Sequence, residues 1–173
     1  MRKEHNELSR SGAVEFLRGE GPNGEGYFLD QILGWSNDDW EEDHAYIQWV
    51  FPTNQPSLFN PDAPVLKADE ITIIQSDPHI QEVLGVIYHR WLRFCGLGYG
   101  NTGLEFGTSE FPTGNPVVWS RFNHNWLRIT RVLHSLRLLG RKDRAEEFFN
   151  FLTQHRELFP ENNFLFWRQA MEG

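Results

Sequence analysis

At 173 residues, 39% of them apolar and 14% aromatic, the chain is long enough to bury one real core and too apolar to be disordered. Its net charge of −8 excludes generic nucleic-acid binding, which needs a basic surface to displace counterions. The charge is uneven: residues 1–50 carry −7 and residues 119–173 carry +3, so the two ends can attract each other or face different partners.

After a polar start, Ser11 is placed to cap a short helix through Arg18, with Val14 and Leu17 at helical spacing. The stretch GEGPNGEG (19–26) reads as a loop, and a short helix follows at Phe28–Leu33, ending near Gly34. Ser36 opens a helix expected to run to Val50, with Asp38 and Asp39 in its first turn and Pro52 as its stop. On that reading Trp40, His44, Ile47 and Phe51 share a stripe, widened by Tyr46, Trp49 and Val50. Four prolines make residues 52–64 an extended connection.

A helix is predicted over 68–75. A longer one begins at Asp77-Pro78 and reaches Cys95, burying Ile80, Val83, Leu84, Ile87, Trp91, Leu92 and Cys95 before Gly96 ends it. The single cysteine rules out an internal disulfide and reads as a buried structural thiol. Residues 96–118, with six glycines, read as a long loop with room for a small hairpin between Leu104–Phe106 and Val117–Trp119.

The best-defined helix spans His124–Leu139, its core stripe made by Ile129, Val132, Leu133, Leu136 and Leu139 and its end by Gly140. Helices at Asp143–His155 (burying Ala145, Phe148, Phe149 and Leu152) and Glu161–Met171 (burying Leu165, Phe166 and Trp167) complete an all-α fold. The expectation is a single globular domain of six to eight helices over 1–173, its core at about 14–171. No stretch approaches a membrane span and the N-terminus lacks the apolar run of a signal peptide, so a cytoplasmic protein is expected, at most peripherally membrane-associated.

No catalytic or metal-binding motif stands out. The seven histidines form no HExxH pair or Cys/His cluster, and the glycine stretches lack the context of a phosphate cradle, so no metal and no cofactor are expected. One arrangement is suggestive: His124, Arg128, Arg131 and Ser135 recur at helical spacing, flanked by Asn125, as a polar stripe beside the apolar one. The structural reading pairs the two arginines with Asp39, Glu42 or Asp43. The functional reading makes them a cationic groove for a carboxylate or phosphate, since guanidinium forks grip such groups bidentately. His44 is read as a hydrogen-bonded core histidine or a base, and Tyr46, Gln48 and Trp49 as a buried network or a binding wall.

Two segments carry a family likeness. DHAYIQWVFP (43–52), then Ala63-Pro64-Val65-Leu66, then HNWLRITRVLHSLRLLG (124–140) resemble, in order and spacing, the conserved region of the opioid growth factor receptor family. Lys67 departs from the pattern, standing where the family often has a helix-capping Thr. The resemblance implies a receptor-like binding domain without the family's repeat-bearing tail, with an enkephalin-type growth factor peptide as the family's ligand. The function expected is therefore a binding module for a peptide or small anionic ligand, using His44, Tyr46, Gln48, Trp49, His124, Asn125, Arg128 and Arg131. Two alternatives stand beside it: an enzyme in which His44, His124 and a carboxylate converge, and a protein–protein interaction domain using aromatics of the 96–118 loop.

Overall fold

The structure, a computed structural model, describes residues 11–120 and 123–173, so the polar opening segment lies outside the described residues. The chain is predominantly helical, as its periodicity predicts. Helix α1 (Ala13–Leu17) starts behind Ser11, whose Oγ accepts the Ala13 amide at 3.2 Å. Ser11 is itself held by Glu70, whose Oε1 accepts from both its amide (3.0 Å) and its hydroxyl (2.7 Å). The other Glu70 oxygen accepts the Lys67 amide at 3.0 Å and opens α5 (Ala68–Ser76). This backward cap from the third helical residue does the work that a Thr at position 67 would do. It also ties α1 to α5 through one buried carboxylate.

The helix expected over 36–50 does not form as one piece. After α2 (Leu29–Gly34), Ser36 caps α3 (Asn37–Glu42) as predicted, its side chain accepting the Asp39 amide. The chain then breaks at Asp43, whose Oδ1 accepts the amides of Ala45 (2.7 Å) and Tyr46 (3.1 Å), and resumes as the single turn α4 (Ile47–Val50). An aspartate side chain offers the backbone a local alternative to the helix, and here it wins. The turn brings Tyr46 beneath Trp40, ring centroids 4.8 Å apart, with the Tyr46 hydroxyl donating to the Trp40 carbonyl at 2.9 Å. His44 consequently leaves the aromatic stripe and faces outward. From the other side Arg90 stacks over Trp40 at 4.3 Å and donates to Asn37 Oδ1 and the Trp35 carbonyl, fixing α3 on the long helix α6 (Pro78–Cys95).

Helix α6 follows its sequence signals: Asp77 accepts the amides of His79 and Ile80, proline sits at the first turn, and Gly96 ends it at a φ of 68°. A Cβ at Gly96 would lie 2.5 Å from the Asn115 nitrogen, so close approach as well as φ requires glycine. The hairpin exists, but β2 (Leu104–Phe106) pairs with β1 (Leu97–Tyr99), not with residues 117–119. Those residues form α7 (Pro116–Trp119), because Asn115 caps the Val117 amide and proline occupies its first position. Asn115 Nδ2 and Trp119 Nε1 donate to the Phe94 and Cys95 carbonyls, satisfying the end of α6.

Helices α8 (Asn125–Leu138) and α9 (Lys142–Gln154) pack along each other, and α10 (Glu161–Glu172) lies on α8. The expected core stripe of α8 is buried throughout, and Cys95 is a buried free thiol. In α10 the buried pair is Phe164 and Trp167, the latter donating to the Trp126 carbonyl, while Leu165 and Phe166 face outward. In α9, Phe151 takes the buried place expected for Phe149, which is half-buried. Among the described residues there are ten α-helices, more than the six to eight anticipated, because the 36–50 segment divides and 116–119 turns helical. Among the described residues no helix is long and apolar enough to cross a membrane.

Candidate functional site

The break at Asp43 leaves the last carbonyls of α3 without helical partners. Arg128 of α8 takes them: Nη1 donates to the Trp40 carbonyl at 2.6 Å, and Nη2 to the carbonyls of Glu41 (3.3 Å) and Asp43 (2.8 Å). The same guanidinium lies 5.5 Å from the centre of the Tyr46 ring. One turn on, Arg131 Nη1 donates to the Phe51 carbonyl at 3.2 Å, and Ser135 Oγ to the Pro52 carbonyl at 2.8 Å. The polar stripe of α8 is therefore a ladder of donors laid along the backbone of residues 40–52. The expected ion pairs of Arg128 and Arg131 with Asp39, Glu42 or Asp43 do not form; the fork of Arg128 is spent on carbonyls at a helix end, where a cation is also favoured, and Arg131 meets the Phe51 carbonyl instead.

The acid that engages the stripe is Glu41. Its Oε1 lies 3.1 Å from His124 Nε2 and its Oε2 accepts from Asn125 Nδ2 at 2.8 Å. His44 and His124 meet edge to face, ring centroids 5.0 Å apart. His44 Nδ1 lies 3.4 Å from Arg128 Nη2. A guanidinium can only donate, so in this contact Nδ1 is the acceptor. Burial pushes the His124 pKa down, Arg128 adds to this, and Glu41 opposes it. The two histidines and a carboxylate do converge. Among the described residues, however, no hydroxyl or thiol hydrogen-bonds to either ring, so the pair has no nucleophile to activate. Nor do three His, Cys, Asp or Glu side chains among the described residues form a group able to hold a metal ion.

Between α8 and the extended 53–59 segment opens a cleft of about 400 Å³. Its polar wall includes His44, Gln48, His124, Arg128, Arg131 and His134, and among the described residues no Asp or Glu lines it. Its apolar wall is Ile47, Leu127 and the pair Leu58–Phe59. Arg131 has no carboxylate within ion-pair distance among the described residues, and burial alone pushes its pKa down to about 10. His134 is also lowered, by burial and then by Arg137 and Arg131.

Of the eight residues singled out from the sequence, His44, Gln48, His124, Arg128 and Arg131 line this cleft. Tyr46, Trp49 and Asn125 do not: Tyr46 is fully buried under Arg128, Trp49 packs edge-on against Phe16, and Asn125 is spent on Glu41 and the Val117 carbonyl. Sequence reasoning missed Glu41, His134, Leu58 and Phe59. His134 was within reach of it, lying three residues beyond Arg131 on the same helix. Leu58 and Phe59 sit in a proline-rich stretch with no period to betray them.

Residues 20–162 match the family model described as the opioid growth factor receptor conserved region. The chain is 37% identical over 125 residues to the human (Homo sapiens) protein named opioid growth factor receptor, covering 69% of this chain and 18% of that one. It is 36% identical over 124 residues to the Mus musculus protein of that name, covering 69% and 19%. With opioid growth factor receptor-like protein 1 of Xenopus tropicalis it shares 31% identity over 119 residues, 67% of this chain and 23% of that one. The match spans about a fifth of the length of these relatives, and no solved structure matches the chain. The two segments whose likeness the sequence displays are the two halves of the donor ladder, and the chain belongs to the opioid growth factor receptor conserved-region family.

Proposed function

We propose that this domain is a binding module that holds an anionic ligand, of peptide or small-molecule size, in the cleft between α8 and residues 53–59. The observation that carries the reading is the cleft's one-sided chemistry. Two arginines and three histidines line it, no carboxylate among the described residues does, and the chain as a whole is at −8. Such a site focuses positive potential on a protein that otherwise repels anions. The human and Mus musculus relatives are named as receptors for an opioid growth factor, and we extend such a ligand, as a peptide, to this chain as part of the proposal.

The catalytic alternative is the weaker reading because the His44–His124 pair lacks a nucleophile among the described residues. The test is an amide chemical-shift titration of the ¹⁵N-labelled domain with an enkephalin-type peptide and, separately, with inorganic phosphate. The proposal expects shifts clustered at residues 47–59 and 127–134 with at least one of them. Shifts scattered elsewhere, or none with either probe, would remove it.

A further inference from the structure

We propose that the cleft is built for a carboxylate carried on an apolar body, its acid end on Arg131 and its hydrocarbon end against Leu58, Phe59 and Leu127. This rests on the binding reading above and narrows it.

The acid end follows from the unused donors. Arg131 makes one hydrogen bond, to the Phe51 carbonyl, and its other N–H groups donate to no described residue. A partly buried guanidinium without a counter-ion costs stability, so the fold holds it there at a loss unless an anion arrives. Gln48 lines the same cleft at 6% exposure. Its Oε1 accepts from Asn60 Nδ2 at 3.5 Å, while its Nε2 donates to no described residue. The guanidinium fork is matched to the two oxygens of one carboxylate, and the Gln48 amide adds a further free donor to the same cleft.

The donor count favours a monoanion. Arg128, the other cation in the wall, already spends Nη1 and Nη2 on three backbone carbonyls. Arg131 is left as the cation in the wall with guanidinium donors still to offer, which suits the single carboxylate of a monoanion.

The apolar end follows from exposure. Leu58 is 93% exposed, Phe59 80% and Leu127 58%, and all three line the cleft. The turn that holds Leu58 and Phe59 outward is an organised one: Ser57 Oγ accepts the amides of Phe59 and Asn60, at 3.3 and 3.1 Å. Behind it, Thr53 bridges to Val65, and the Leu66 amide donates to the Thr53 carbonyl at 2.9 Å. Large apolar side chains held in water beside a cationic floor are matched to an amphipathic acid. A volume of about 400 Å³ suits a ligand of modest size.

A fatty acid and the C-terminal residue of a peptide offer the same chemistry, and the experiment separates them. Calorimetric titrations use hexanoate, octanoate, decanoate below its micellar range, decanol and inorganic phosphate. They are joined by a short peptide ending in leucine, as free acid and as amide. Decanoate is expected to bind about tenfold or more tighter than decanol or phosphate. Affinity should climb along the acid series, with about fourfold per methylene as the ceiling for full burial.

Arg131→Gln should remove the preference of decanoate over decanol. Leu58→Ser with Phe59→Ser, both at exposed positions, should flatten the chain-length series while leaving the fold intact. If the peptide acid outbinds both its amide and decanoate, the natural source is a peptide terminus; if decanoate outbinds the peptide acid, it is a free fatty acid. Both outcomes support the inference. Equal binding of each acid and its neutral partner, or an unchanged decanoate affinity in Arg131→Gln, overturns it. Should phosphate or the enkephalin-type peptide shift the cleft amides while no apolar acid binds there, the binding module stands and this narrowing falls. If nothing shifts them, both fall.

Discussion

The two ends of the polar stripe on α8 are built from the same residue types and do different work. At the N-terminal end, His124, Asn125 and Arg128 are taken up by Glu41 and by the carbonyls that the break at Asp43 exposes. At the C-terminal end, Arg131 keeps most of its fork, and His134 has no hydrogen-bond partner among the described residues. A guanidinium surrounded by carbonyls is a structural clasp. One with a single carbonyl, no counter-ion among the described residues and a cleft in front of it is what we propose as the site. Helical spacing places both on one face and cannot tell them apart.

The comparison can be broken first at the clasp. Arg128→Met should cost about 3 kcal/mol in urea unfolding, because it leaves the part-buried carbonyls of Glu41 and Asp43 without a donor and that of Trp40 with the Tyr46 hydroxyl alone. Arg128→Lys should recover little, since one ammonium cannot reach carbonyls on both sides of the turn. Asp43→Ala removes the acceptor of two turn amides and should cost about 1–2 kcal/mol by the same measurement. An Asp43→Ala variant as stable as the parent would mean that the turn is held by Arg128 and Tyr46 alone.

Acidification tests both ends together. His124 and His134 have folded-state pKa values below the ordinary 6.5, so the unfolded chain takes up protons first. Stability is therefore full above about pH 7 and is lost as pH falls through the folded values. The melting temperature should drop between pH 7.5 and 5.5, and the drop should shrink in His134→Gln. A flat profile over that range would contradict the burial assigned to these rings. At the open end, Leu58→Ser with Phe59→Ser should change stability by less than about 0.5 kcal/mol, as expected of exposed side chains.

Much of this was legible in the sequence. The 3.6-residue period of α8 gave both stripes, Asp77-Pro78 and Gly96 bounded α6, and the two motif segments marked the parts that meet. The break at Asp43 was not legible, because a period of apolar residues cannot show that an aspartate will cap its own downstream amides. Its stability also depends on Arg128, 85 residues away. The outward turn of Leu165 and Phe166 escaped for a related reason: in a strongly aromatic helix, several registers bury a plausible face. The site was half legible. Its cations followed from spacing, but the missing counter-ion of Arg131 did not, since a sequence with many nearby acids gives no sign that they point elsewhere.

The most direct test of the clasp-and-site division is the unfolding free energy of Arg128→Met and Arg131→Met measured side by side in urea. The account predicts a loss of about 3 kcal/mol for the first, and no loss or a small gain for the second, because an uncompensated, partly buried cation is removed. Equal and substantial losses in both variants would contradict it, and would make Arg131 a second clasp.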